Sequence, residues 1–288
     1  MLDARQGEVV LSHDGRRVTT LESLSALTTA VAFKRCHSKS HTRRVLEDAG
    51  LRVPRGRLAT FDDGDAAFLE ECKEMVVKPD RGEGGQGLTV GVTDRRALET
   101  ALAAARAVCP EVLLEQRVDG EDVRVIVIGD DVVAAAVRCP PIVTGDGERT
   151  VAELVESLSR SRAEATGGAA RVPLDDKTLE VVRAGGYEPD TVLPEGVSLA
   201  VRRTANVHTG GTIEDVTPRL HPELAAVAVA AARAIEIPVV GIDLMVPAVD
   251  GPEYTIIEAN EQPGLANHEP QPTAQRFVDL LFPETSSS

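Results

Sequence analysis

The chain has 288 residues, 42% of them hydrophobic, a formal net charge of -15, no Trp, two Tyr, five Phe and four Cys. That length can bury one large core or two to three small lobes, whereas the acidity and the lack of stacking groups exclude nucleic acid as a general partner. No apolar run reaches the roughly 18 residues that cross a bilayer, so no membrane partner is expected, and Cys36, Cys72, Cys109 and Cys139 are too scattered for structural zinc or a disulfide framework.

The start, Met1 to Gly15, is polar and mixed in charge, unlike an export signal, which gives a cytoplasmic expectation. Apolar spacing predicts helices over Leu21 to Phe33 and Ser38 to Ala49, with Gly50 as a C-cap, so residues 1–50 read as a short helical N-terminal segment. A helix over Asp62 to Glu74, strands at Met75 to Pro79 and Leu88 to Val92, an Asp94-capped helix to Val108 and a strand at Val112 to Glu115 make residues 51–116 a mixed lobe. Residues 117–288 form the larger lobe. It opens with strands Asp122 to Ile128 and Val132 to Val137 around Gly129-Asp130-Asp131, followed by helices at about 150–165 and 175–184. A helix over Pro222 to Ile235, strands Val239 to Pro247 and Glu253 to Asn260 and a helix over Thr273 to Phe282 complete it, and Ser286 to Ser288 reads as a frayed tail.

Gly82-Glu83-Gly84-Gly85-Gln86-Gly87 has the spacing of a dinucleotide fingerprint, but a strand rather than a helix follows it, and no GK[ST] follows either. What remains is strand, glycine loop, strand, a flap whose backbone N–H groups can approach phosphate oxygens; a plain hairpin tip is the alternative. Lys78 lies on the apolar strand entering that loop, so its ammonium is suited to the phosphates the loop would cover, with a purely structural charge as the alternative. Lys39, at the head of a helix, is equally readable as a surface charge.

The last strand pair carries the sharpest signal. A hairpin centred on Asp250-Gly251 sets Asp243 opposite Glu258, with Asn260 on the same face, while Ile242, Leu244, Ile257 and Ala259 point into a core. Two facing carboxylates and an amide oxygen suit a hard cation such as Mg2+, unless Pro252 shifts the register. Between the lobes, the stretch around Glu115 can pair with an adenine edge, and an acid a few residues on can accept from ribose hydroxyls; a charged linker is the alternative. Arg202-Arg203 and Asn206, beside His208-Thr209-Gly210-Gly211, suit a transferring phosphoryl group or are solvated.

Taken in order, KPDRGEGGQG, LLEQRVDGEDVR, RRTANVHTGG, GIDL and IIEANEQPG resemble the ATP-grasp superfamily. VTGDGERTVAELVE resembles the ATP-grasp part of the cyanophycin synthetases, and EANEQPGLANHEPQPTAQRFVDLLFP resembles the N-acetylglutaminylglutamine synthetases, which are peptide ligases. The resemblance implies an α+β ATP-grasp fold of two lobes clasping ATP, with Lys39 and Lys78 on its phosphates and Gly84, Gly85 and Gly87 in the lid. It further implies Glu115 and Val118 near adenine, Asp122 on ribose, Asp243, Glu258 and Asn260 on two Mg2+ ions, and Arg202 (or Arg203) with Asn206 at an acyl phosphate. The implied activity joins a carboxylate to an amine, both small molecules such as amino acids or a short peptide. A kinase that stops at phosphoryl transfer and a nucleotide-binding partner subunit are the alternatives. ATP-grasp enzymes usually carry a longer domain ahead of the lid, so two readings stand: a stand-alone ligase module, or a chain whose acceptor site a homodimer or a partner subunit completes.

Overall fold

The computed structural model describes residues 2–3 and 7–285; Ser286 to Ser288, read above as a frayed tail, lie outside the described residues. The chain forms two compact units, Met1–Val137 with Asp215–Ser288, and Arg138–Glu214.

The first unit opens with a four-stranded antiparallel sheet, β1 (Leu2–Asp3), β2 (Glu8–His13), β3 (Arg16–Leu21) and β4 (Leu24–Ser25), in that order. This corrects the helical reading of the N-terminal segment. The period-two signal was present, since Val18 and Thr20 face inward while Arg17 and Thr19 face water, but only one large apolar residue carries it. The helix predicted from Leu21 starts at Ala30, where the Thr29 hydroxyl accepts from the Ala32 N–H. It is α1 (Ala30–His37), and α2 (Lys39–Asp48) follows, capped by Ser38.

The next segment builds a small lobe from β5 (Gly56–Leu58), α3 (Asp63–Cys72), β6 (Met75–Pro79), β7 (Thr89–Val92), α4 (Arg95–Arg106) and β8 (Val112–Gln116). Its antiparallel sheet runs β5-β8-β6-β7, with Met75, Val77, Val92, Leu98, Ala101, Ala105 and Leu114 in one core. Strand β9 (Glu121–Ile128) then enters the main sheet and pairs along its whole length with β14 (Val239–Val246). Gly120 makes the entry feasible. A Cβ there would stand 2.5 Å from the Val246 carbonyl oxygen, and its φ of +150° is glycine territory.

The main sheet has the order β13-β10-β9-β14-β15, with β10 (Asp131–Cys139), β13 (Thr212–Asp215) and β15 (Thr255–Asn260). Helix α7 (Pro222–Ile235), with Pro at its start and Glu236 as a left-handed cap, buries Leu224, Val227, Ala231 and Ile235 and packs on β9 and β14. Phe277 and Leu281 of α8 (Thr273–Leu281) share a core with Ile126, Ile128, Val239 and Val18 of β3, which is why the N-terminal sheet belongs to this unit.

The second unit has its own core of Val143, Val151, Leu154, Val155, Val182, Leu193 and Val201. A two-stranded sheet of β11 (Ile142–Thr144) and β12 (Ser198–Ala200) meets α5 (Val151–Ala165), which starts with a Thr150/Glu153 capping box, and α6 (Asp176–Ala184), capped by Asp175. Strands β11, β12 and β13 are three or four residues long, too short to announce themselves by alternation.

Candidate active site

Strands β14 and β15 pair with Gly241 opposite Asn260, Ile242 opposite Ala259 and Asp243 opposite Glu258. The register is the one read from the sequence, but the hairpin reaches it differently. The chain turns through Pro247 to Tyr254, and a β-bulge after Asp243 pairs Leu244 with Ile256, leaving Ile257 as the extra residue. The core face is therefore Ile242, Leu244, Ile256 and Ala259, all buried; Ile257 is only half-buried, a correction to its predicted core place.

Directly opposite positions bring Cβ atoms to about 4.5–5.5 Å, so Asp243 and Glu258 would repel without counter-charge. Each has one. Arg124, opposite Asp243 on the other neighbour β9, grips it from two nitrogens, Nε to Oδ1 at 2.7 Å and Nη2 to Oδ2 at 2.8 Å. Lys39 Nζ lies 3.0 Å from Glu258 Oε1 and donates to the Gly82 carbonyl at 3.0 Å, touching the acidic strand and the glycine loop at once. Asn260 uses its Oδ1 to accept from the Gln262 N–H at 2.9 Å, which fixes the amide at the end of β15.

Lys39 is aimed by a residue that sequence reasoning passed over. Asp80, buried where β6 ends, accepts from Ser38 Oγ at 2.8 Å and from the Ser40 N–H at 2.7 Å, and its carbonyl accepts from the Lys39 N–H at 3.0 Å. A carboxylate at the first turn of α2 satisfies its free N–H groups and ties that helix to the loop. Arg124 was passed over as well; its signal was its place on β9 opposite Asp243, legible only once β9 is known to neighbour β14.

Lys78 and Glu115 are both buried and form an ion pair of 2.6 Å, and Lys78 Nζ also approaches the carbonyl of the bulged Ile257 at 3.5 Å. Burial alone would push the Lys78 ammonium down, but Glu115 and Glu258 outweigh it and hold the pKa above the ordinary lysine value. Between β6 and β7 the loop residues Gly82 to Gln86 are exposed. Gly84 sits at φ +65° with nothing within 4 Å of where a Cβ would be, so its backbone is open to a ligand. Val118 and Asp122 are half-buried on either side of Gly120, Asp122 at the head of β9 opposite Met245.

The surroundings of Glu258 are acidic. Glu261 is held above the usual carboxylate range, first by burial and also by Glu83 and Glu258, against its own backbone N–H and His37, whose Nδ1 is 3.8 Å away. Burial, then Glu261 and Glu258, pushes the Cys36 thiol up, so it stays a neutral thiol. Among the described residues no three His, Cys, Asp or Glu side chains stand grouped as a ready metal cage. The donor set is all oxygen, two carboxylates and an amide, which fits Mg2+, an ion bound through one or two carboxylates with waters and substrate phosphates completing its shell.

In the second unit, Arg202 is buried, and its Nη1 donates to Asp175 Oδ1 at 2.5 Å and to Thr178 Oγ1 at 3.1 Å, locking the start of α6; Arg203 is exposed. Asn206 Oδ1 accepts from the His208 N–H at 2.8 Å and caps a short turn that ends at left-handed Gly210.

Residues 36–264 match the ATP-grasp domain family. The chain is 33% identical over 268 residues to the cyanophycin synthetase of Nostoc sp., an alignment that covers 86% of this chain and 29% of that protein. The crystal structure of a bifunctional glutathione synthetase from Pasteurella multocida superposes with a TM-score of 0.66 at 25% identity, covering 99% of this chain and 41% of that one. The ATP-grasp ligase PsnB, solved with a minimal precursor variant, Mg and ADP, superposes at a TM-score of 0.50 and 19% identity over 87% of this chain and 59% of its own, a likeness of fold. This chain therefore spans about a third of the length of the curated relatives it matches. With its α+β architecture and the matched span, the chain belongs to the ATP-grasp family.

Proposed function

We propose that the protein is an ATP- and Mg2+-dependent ligase that joins a carboxylate to an amine through an acyl phosphate. The observation that carries this reading is Asp243 standing opposite Glu258 on β14 and β15, within reach of lysines from two other elements. In this reading Asp243, Glu258 and Asn260 hold Mg2+, two ions in all, which supply positive charge to the phosphate oxygens.

The chain's own groups do the rest. Lys39 and Lys78 place ammonium groups against the phosphates, and the N–H groups around Gly84, Gly85 and Gly87 cover them. The Glu115 and Val118 segment lies along adenine, and Asp122 accepts from the ribose hydroxyls. A substrate carboxylate attacks the γ-phosphorus and ADP leaves; the amine nitrogen then attacks the acyl carbon, phosphate leaves and the nitrogen loses a proton. No protein nucleophile takes part, so the rate comes from positioning, exclusion of water and donors facing the developing charge. For Arg202, or Arg203, and Asn206 the proposed place is at the acyl phosphate, on the strength of the motif RRTANVHTGG.

The finer assignment is a peptide ligase like the N-acetylglutaminylglutamine synthetases, on small amino-acid or short-peptide substrates, acting as a stand-alone module or with a homodimer or partner subunit at the acceptor site. It is supported by the segment from Glu258 to Pro283. Incubation with ATP, Mg2+ and pools of amino acids, N-acylated amino acids and glutamine derivatives tests both levels. Phosphate release that needs both an acid and an amine, with hydroxylamine trapping the acid when the amine is withheld, is the expected result. ADP formation that needs no amine and yields a stable phosphorylated product would instead mark a kinase.

A further inference from the structure

Three ion pairs occupy the candidate site: Arg124 with Asp243, Lys39 with Glu258 and Lys78 with Glu115. In the two lysine pairs, a cation is matched to an acid that the proposed chemistry assigns to a different part of the ligand. Lys39 and Lys78 belong to phosphates, Asp243 and Glu258 to the metal, Glu115 to the base. These six formal charges sum to zero before any ligand arrives, with Glu83 and Glu261 as further acids near Glu258.

Resting on the ligase reading above, we infer that these pairs are built-in counter-ions, so that the site takes a divalent metal only together with the nucleotide, through an exchange of partners. A bare divalent ion approaching Glu258 meets a carboxylate already neutralised by Lys39, 3.0 Å away, and at Asp243 one gripped from two nitrogens by Arg124. It must compete with two fixed positive charges at short range, where protein charges interact strongly. The polyphosphate reverses the balance. Lys39 sits at the head of α2, held through Asp80, and already reaches the Gly82 carbonyl of the glycine loop, so a phosphate under that loop is a second anion for the same ammonium. As Lys39 turns to it, Glu258 is released to the metal that the phosphates bring. Arg124 is a positioning residue that fixes the Asp243 carboxylate and reduces its charge.

The discriminating experiment is titration of the full-length protein with Mn2+ followed by electron paramagnetic resonance, with and without a non-hydrolysable ATP analogue whose own binding is measured separately. The wild type is expected to bind Mn2+ at least about tenfold more tightly with the analogue present, and Lys39→Met is expected to bind Mn2+ alone at least about tenfold more tightly than the wild type, because a fixed positive charge close to the ligand is gone. Adding Glu258→Gln to Lys39→Met should remove that gain. Arg124→Met is a second variant with the same expected direction; Asp243 is buried, so this variant is read only if its circular dichroism is native, and Lys39→Met decides the matter alone otherwise. If the analogue binds but Lys39→Met gains no Mn2+ affinity, the counter-ion inference is overturned while the ligase reading stands. If the wild type binds neither analogue nor Mn2+ with it, the ligase reading falls and the inference with it.

Discussion

Asp243 and Glu258 face each other across β14 and β15 one step before a β-bulge shifts the pairing, and the bulged residue, Ile257, turns its carbonyl toward Lys78. The bulge joins two functions. It keeps the carboxylates in register although the connecting loop is longer than a tight hairpin, and it brings the second lysine to the same place. Bulges beside active sites re-aim side chains in this way.

Glu258→Gln keeps the shape and removes the charge. ATP-dependent turnover with the right acid and amine should fall at least about 100-fold. Stability should change by less than about 1 kcal/mol, because the lost pair with Lys39 is partly exposed and the repulsion with Asp243 is relieved as well. ADP formation by coupled assay and a denaturant melt check the two halves; retained turnover would remove Glu258 from the site.

Of the three ion pairs at the site, Lys78 with Glu115 is the one buried on both sides, and breaking it leaves one charge stranded. Glu115→Ala should destabilise the protein by about 3–5 kcal/mol. The double variant Lys78→Met with Glu115→Leu should recover most of that loss, since a packed apolar pair replaces a buried ionic one, yet bind nucleotide poorly. Urea unfolding and binding of a fluorescent ATP analogue would show stability and function moving apart.

Asp175 links stability of the second unit to pH. Desolvation pushes its carboxyl up, but the Thr178 N–H and the Arg202 guanidinium outweigh this and hold it below the ordinary value of 3.8. A carboxyl lowered in the folded state contributes stability above its unfolded pKa and loses it as pH falls through the folded one. Asp175→Asn, which can still cap α6, should therefore be less stable than the wild type at neutral pH by up to about 1 kcal/mol, given the partial exposure of the pair. The difference should shrink below the usual carboxylate range; hydrogen exchange of α6 amides against pH reads it directly.

Two glycines should respond in opposite ways. Gly120→Ala drives a Cβ to 2.5 Å from the Val246 carbonyl oxygen and should cost about 1–3 kcal/mol of stability. Gly84→Val meets no atom within 4 Å of its Cβ, so folding should lose only about 1 kcal/mol to the left-handed backbone, while the KM for ATP should rise as the loop stiffens and its surface is shielded.

Strand β6 and helix α7 were legible because each rests on a run long enough to show its period, whereas the predicted pairing of Asp243 with Glu258 holds because a β-bulge offsets a loop longer than the tight turn it was read from. The N-terminal sheet was not legible, since among the large residues of β2, β3 and β4 Val18 alone is buried and the pattern is mostly polar. Arg124 escaped notice because its meaning depends on β9 neighbouring β14, a pairing between segments over a hundred residues apart that no local pattern encodes. Asp80 escaped for a similar reason: its partners lie on α2, and the sequence shows only an acid after a proline. Arg202 was read as a cation for a transferring phosphoryl group or a solvated one; the structure also gives it a helix to hold, which a lone charge in a sequence does not reveal.

The central claim is that the end of β15 and its neighbour β14 grip divalent ions beneath a nucleotide. Crystals grown with Mn2+ and a non-hydrolysable ATP analogue, measured at the manganese edge, test it most directly. Anomalous peaks touching Glu258 and Asn260, with the phosphates between them and Lys39, are the predicted result; bound analogue with manganese away from β14 and β15 would contradict it.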